Sequence, residues 1–249
     1  GFLFLPRLPA GYIIDDDLYQ KIFLIANAAL YPRFTLLKQN SAYFMALDTN
    51  DIHVQRGLFF PWKKGIAKRL VIPNLEDFST TQKDNLIPIM KNLILNYNKV
   101  THIAIAGNSG AGKSYALIYF LSILKNISEM IIIDPKVDLP ARFGKEYNLP
   151  VLSPKRNRSK SDFVSEINEN LSACLNLIQQ RQEILYDKPD HPFEHLTIVI
   201  DEVLALSEGV NKTIKDSFFS LLSQIALLGR ATKVHLFLVS QRFDHTSIP

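Results

Sequence analysis

The run Gly107-Asn108-Ser109-Gly110-Ala111-Gly112-Lys113-Ser114 has the spacing G-x-x-x-x-G-K-[ST]. Each residue type has a physical reason to be there. Glycines let the backbone curl so that successive N–H groups aim at one phosphate. A helix N-terminus behind them adds partial positive charge. Lys113 would reach the β- and γ-phosphates, and Ser114 would offer its hydroxyl to Mg²⁺. The pattern predicts a site for a nucleoside triphosphate and its metal. The apolar run Leu196-Thr197-Ile198-Val199-Ile200 leads into Asp201-Glu202. That order predicts Asp201 as a holder of Mg²⁺ and Glu202 as the base that polarises the attacking water. The run Val234 to Val239 leads into Ser240-Gln241-Arg242. A polar Gln241 at a strand's C-terminal end would lie near the nucleotide, because ligands bind outside those ends.

These groups need a scaffold, and the hydrophobic pattern predicts one. Thr101–Ala106, Met130–Ile133, Leu196–Ile200 and Val234–Val239 read as buried strands. Lys113–Lys125, Ser161–Tyr186 and Asn211–Leu228 carry a helical period between them. Strands alternating with helices predict an α/β fold whose parallel sheet is covered on both faces. Phe163, Ile167, Leu171, Cys174 and Ile178 fall on one stripe, so Cys174 reads as core. The first 75 residues read as a small α+β region. They hold a helix over Asp17–Tyr31 and two strands, Ser41–Asp48 and Asp51–Phe60, joined at Thr49-Asn50-Asp51. Two basic clusters stand out: Lys63, Lys64, Lys68 and Arg69, and then Lys155, Arg156, Arg158 and Lys160. Either is a solvated loop or a contact for phosphates.

Composition bounds the rest. The 249 residues are 47% hydrophobic and 21% charged, which excludes a mainly disordered or collagen-like chain. One cysteine excludes an intrachain disulfide framework and makes a reduced, cytoplasmic setting the expectation. The net charge of +4 permits a polyanionic partner without demanding one. No run of about 18 apolar residues occurs. Pro6, Arg7, Pro9 and Gly11 interrupt the apolar start, which is unlike a signal peptide. The chain opens on Gly1 rather than Met, so a trimmed chain is expected, with any membrane anchor outside it.

From Val100 to Arg242 the chain resembles the motor domain of FtsK/SpoIIIE DNA translocases, within the FtsK–HerA group. The likeness is carried by His102–Gly107 running into Gly112-Lys113-Ser114, by Ile133-Asp134-Pro135-Lys136, and by Leu177-Ile178-Gln179-Gln180-Arg181. Ile198–Val203 and Gly229-Arg230-Ala231-Thr232-Lys233-Val234-His235-Leu236 through Gln241-Arg242 complete it. The resemblance implies a RecA-like P-loop ATPase over residues 76–249, with the Gln241 strand between the phosphate-loop strand and the Asp201 strand. It implies a hexameric ring around double-stranded DNA, with ATP at subunit interfaces and Arg230 supplied in trans to the neighbour's nucleotide. Lys233 and Val234 stand where the family has Gly-Ile, and Phe243 where it has Pro. Family motors continue with a further strand, so a truncated C-terminal end is expected. Short versions are similar to coupling proteins of conjugative elements, whose partners would be relaxosome or secretion-channel proteins. Two other readings remain open at this point. One is a related motor acting on single-stranded DNA or powering a secretion or packaging apparatus. The other is a nucleotide-gated assembly platform without catalysis.

Overall fold

A computed structural model describes residues 1–5, 15–39, 43–66, 68–82 and 84–243. It divides into two units: Gly1–Leu70 with Ile89–Leu93, and Val71–Pro88 with Ile94 onward.

The first unit contains β1 (Phe2–Phe4), α1 (Asp16–Leu30), β2 (Phe34–Leu36), β3 (Phe44–Ala46), β4 (Arg56–Phe60) and β5 (Trp62–Lys64). Asp15 caps α1, its carboxylate accepting the Leu18 N–H at 2.9 Å, so the helix begins one residue before the expected Asp17. An antiparallel sheet in the order β1-β4-β3 and a β2-β5 ribbon enclose a small aromatic core. Phe60 stacks on Tyr19 and on Phe2, at 5.0 Å in each case. The expected strand Asp51–Phe60 is shorter in the structure, because Ile52–Val54 forms a 3₁₀ turn capped by Asp51 and pairing begins only at Arg56. Part of the expected strand Ser41–Asp48, and most of the apolar start, lie outside the described residues.

The second unit carries α2 (Leu75–Thr81) and a two-stranded ribbon, β6 (Leu86–Met90) with β7 (Leu93–Asn96), whose segment Ile89–Leu93 groups with the first unit. There follow β8 (Ile103–Ala106), α3 (Lys113–Leu124), β9 (Glu129–Ile133), α4 (Leu139–Glu146), β10 (Val151–Leu152) and α5 (Lys160–Asp187). The unit continues with β11 (Leu196–Ile200), α6 (Val203–Ser207), α7 (Lys212–Leu228) and β12 (Val234–Ser240). The sheet order is β10-β9-β11-β12-β8 and every pairing is parallel. Leu196, Ile198 and Ile200 turn to one face, where Phe163, Ile167 and Leu171 of α5 and Phe218 and Leu222 of α7 pack. On the other face Phe120 of α3 meets Phe237 edge-on at 5.1 Å. Both faces are covered, so β11 is buried along its whole length, which is why it reads as an apolar run broken only by Thr197, whose hydroxyl is hydrogen-bonded to Tyr97 and Ser128. This is the expected RecA-like α/β sheet, with the Gln241 strand between the phosphate-loop strand and the Asp201 strand. Cys174 is buried in this core, and burial pushes its thiol up to about 11. Ser159 and Asp162 cap α5 reciprocally, and its 28 residues cross the face from end to end.

Candidate nucleotide site

Parallel strands present all their C-terminal ends at one edge, and the loops leaving β8, β9, β11 and β12 meet there. The loop after β8 turns twice through left-handed backbone, at Gly110 (φ 79°) and Gly112 (φ 87°), and then enters α3 at Lys113. A side chain at either glycine would meet open space, so backbone conformation and not crowding requires glycine there. Lys113 donates to the carbonyls of Gly107 (2.6 Å) and Asn108 (3.2 Å), which folds its stem across the mouth of the loop. Asn108, Ser109, Gly110, Ala111 and Ser114 are exposed. Exposed backbone at the start of a 12-residue helix, with an ammonium over it, fits a phosphate chain. Ser240, paired across the sheet with Ala106, also keeps a buried hydroxyl without a hydrogen-bond partner at the base of the loop.

Asp201 follows β11. Burial, reinforced by the charge of Asp134, pushes its carboxyl up to about 6 despite the opposing pull of Lys136. An undercompensated carboxylate of this kind fits a cation. Among the described residues no cluster of three or more His, Cys, Asp or Glu is placed to hold a metal unaided. Ser114 and Asp201 would therefore share Mg²⁺ with phosphate oxygens and water, which suits that ion.

Glu202 is buried and sits in left-handed backbone (φ 52°, ψ 61°) as the residue before α6. That conformation is costly for a side chain of this kind and concentrates at working sites. Its Oε2 accepts from Lys136 Nζ at 2.8 Å, and its Oε1 from the Gln241 backbone N–H at 3.3 Å. One carboxylate thus ties together the ends of β9, β11 and β12. A cleft of about 480 Å³ opens beside it, lined in part by Asn108, Lys136, Glu202, Gln241 and Arg242. Sequence reasoning placed Glu202 and Gln241 here but assigned Lys136 no role. The signal was present, since Asp134-Pro135-Lys136 stood out as a motif without a task.

Arg230 is not part of this cluster. It is exposed just after α7, on the approach to β12, and among the described residues nothing engages its side chain. The seven residues of β12, at about 3.3 Å each, put roughly 20 Å between it and Gln241. Arg181 has a structural task. Its guanidinium donates to the carbonyls of Glu194 (2.9 Å) and Thr232 (2.7 Å), clamping α5 to the turns that feed β11 and β12.

The two basic clusters differ. Lys155 and Arg158 both pair with Glu166, at 3.1 and 2.7 Å, and Lys160 donates to the Glu208 carbonyl. Lys63, Lys64 and Lys68 surround a hollow of about 100 Å³ in the first unit, and among the described residues no carboxylate pairs with them. The first unit holds 10 of the 28 Lys and Arg residues but only 5 of the 24 Asp and Glu, so the chain's positive excess resides there.

Among known proteins, the FtsK domain-containing protein YdcQ of Bacillus subtilis (strain 168) is 23% identical over 170 residues, covering 65% of this chain and 34% of that protein. The DNA translocase FtsK of Sporosarcina ureae is 28% identical over 166 residues, covering 58% of this chain and 20% of that protein. The chain therefore spans about a third or less of these relatives' length. The pCW3 conjugation coupling protein TcpA, solved as a monomer with ATPγS, superposes over 95% of this chain and 67% of its own, at a TM-score of 0.59 and 18% identity. No protein-family model matches the chain. The likeness to FtsK/SpoIIIE-type motor domains read from the phosphate loop, the Asp201-Glu202 strand and the Gln241 strand end thus stands on relatives that carry the FtsK name and on a shared fold.

Proposed function

We propose that the chain is the ATP-hydrolysing motor of a double-stranded DNA translocase of FtsK/SpoIIIE type. The observation that carries this reading is the convergence of the phosphate loop, Asp201, Glu202 and Gln241 on one edge of a parallel sheet in the order β8-β12-β11. In this reading Lys113 neutralises the β- and γ-phosphates, Ser114 and Asp201 hold Mg²⁺, and Glu202 takes the proton of the attacking water. Gln241, which lines the same cleft, senses the γ-phosphate or orients the attacking water. Arg230, too far along β12 to serve its own loop, acts on the nucleotide of a neighbouring subunit in a hexameric ring. The match to a coupling protein over both units supports a role in conjugative DNA transfer, with relaxosome or secretion-channel proteins as partners. The proposed setting is the cytoplasm; no helix among the described residues is long and apolar enough to cross a membrane.

Steady-state ATP hydrolysis with long duplex DNA, with single strands and with neither tests the proposal. Duplex should stimulate turnover. Glu202→Gln should still bind ATP but lose about 10²-fold or more in turnover, and Lys113→Ala should lose nucleotide binding. Stimulation by single strands alone would favour the related single-strand motor. ATP binding without hydrolysis under any condition would favour the assembly platform.

A further inference from the structure

Asp134-Pro135-Lys136 lies outside the phosphate loop and the Asp201 strand, yet the structure gives it a built geometry at the same edge. Asp134 is fully buried. Its Oδ1 accepts the N–H groups of Lys136 (2.9 Å) and Val137 (3.0 Å), and its Oδ2 those of Asp138 (2.8 Å) and Ala141 (3.1 Å). Four backbone donors on one carboxylate lock the turn after β9, and Val137 accepts a left-handed φ of 56° to complete it. A turn this constrained presents Lys136 at one place. Its ammonium donates to Glu202 Oε2 at 2.8 Å, while half of the lysine side chain stays open to solvent. An ammonium carries three donors, and this contact uses one. Lys136 also lines the cleft it shares with Asn108 of the phosphate loop.

We propose that Lys136 is a positioning residue that restrains Glu202 until the terminal phosphate of a bound nucleoside triphosphate competes for its ammonium. This rests on the hydrolytic reading above. With Oε2 held by Lys136 and Oε1 by the Gln241 N–H, the carboxylate is fixed in place. The doubly charged terminal phosphate in the cleft is the stronger attractor for a half-exposed ammonium. Once Lys136 shifts to it, Glu202 is free to accept the proton as the water's O–H bond breaks. The water oxygen then bonds to the γ-phosphorus and the bond to the ADP oxygen breaks. The same lysine so couples occupancy of the cleft to readiness of the base.

The experiment compares Lys136→Met and Lys136→Arg with wild type. One readout is ATP turnover, basal and duplex-stimulated, with KM measured in each state. The other is a stability cycle on the nucleotide-free protein, combining Lys136→Met with Glu202→Gln under urea. The restraint predicts that Lys136→Met raises basal turnover by roughly two- to fivefold, the factor an ion pair at a half-exposed lysine is worth. It also predicts a higher KM for ATP and a smaller ratio of stimulated to basal rate. Lys136→Arg should restore all three. In the cycle, Lys136→Met should be destabilising alone and nearly harmless beside Glu202→Gln, because no buried carboxylate is then left without its partner. A basal rate in Lys136→Met at or below wild type would overturn the restraint, and so would an additive cycle. A wild-type protein that turns over no ATP would instead overturn the hydrolytic reading itself.

Discussion

His235 occupies the buried face of β12, opposite Thr197 in the register of β11. Its Nδ1 meets the Thr101 carbonyl at 2.8 Å and its Nε2 meets His195 Nδ1 at 2.7 Å, with Tyr97 packed 4.8 Å from the ring. Burial pushes this imidazole down to about 4; the Thr101 carbonyl resists, and the charges of His195, His102 and Lys233 add to the fall. The folded protein therefore binds this proton less readily than the unfolded chain, whose imidazole titrates near 6.5. The stabilisation is complete above about pH 6.5 and drains away as pH falls toward 4, amounting to at most about 3 kcal/mol. Asp201, raised to about 6, gains stability over the same fall in pH, so the His235 contribution is read as a difference: the gap in urea midpoint between wild type and His235→Gln should be wide at pH 7.5 and narrow at pH 4.5. None of this was legible in the chain, where His235 reads only as part of a Val-His-Leu run. Its partners lie 40 residues away at His195 and 134 at Thr101. Lys113, by contrast, was legible because its loop is contiguous.

The long elements announced themselves and the short ones did not. α5 and α7 present stripes of three-four spacing over many turns, and β11 is apolar at every position but Thr197. α4 has only eight residues, with Pro140 in its first turn and Gly144 within it, and β10 pairs with β9 at two positions. Such stretches have too few residues for a period to emerge, and tertiary packing decides them. Gly144 shows how. A Cβ there would drive into the Val151 side chain and press on Ile132, so glycine is what lets α4 lie against β9 and β10. Gly144→Ala gains about 1 kcal/mol of helix propensity. Against that stands overpacking of a short, branched neighbour, at about 1–3 kcal/mol. A net loss of about 1 kcal/mol is expected, read as a lower urea midpoint with unchanged slope.

At the scale of the molecule, charge and reach decide the predictions. The sequence shows two basic clusters of similar density, and only folding separates them, by placing Glu166 against Lys155 and Arg158. Lys63, Lys64 and Lys68 keep their charge for an outside anion. Replacing all three with Gln should lower the slope of log affinity against log salt for duplex DNA by about 2 to 3, since each phosphate contact contributes about 0.9. Replacing Lys155 and Arg158 should change it less. Arg230→Ala is expected to hydrolyse ATP poorly alone and to regain activity when mixed with Lys113→Ala subunits, because each then supplies what the other lacks. Mixed rings that stay inactive despite normal assembly would remove Arg230 from that role.

The sequence by itself determined the phosphate loop, four buried strands and three long helices of the second unit in their order, and the assignment of Asp201 and Glu202 to a strand end. Those depend on neighbours in the chain: glycine spacing, apolar runs, the residue that follows a strand. The tertiary structure alone decided that Lys136, 66 residues before Glu202, closes onto its carboxylate. It also decided which lysines are already paired, and that His195 and His235 face one another inside the sheet. These are contacts between strand ends and faces brought together by sheet order, and sheet order is set by the burial of whole faces, which no local run of residues encodes.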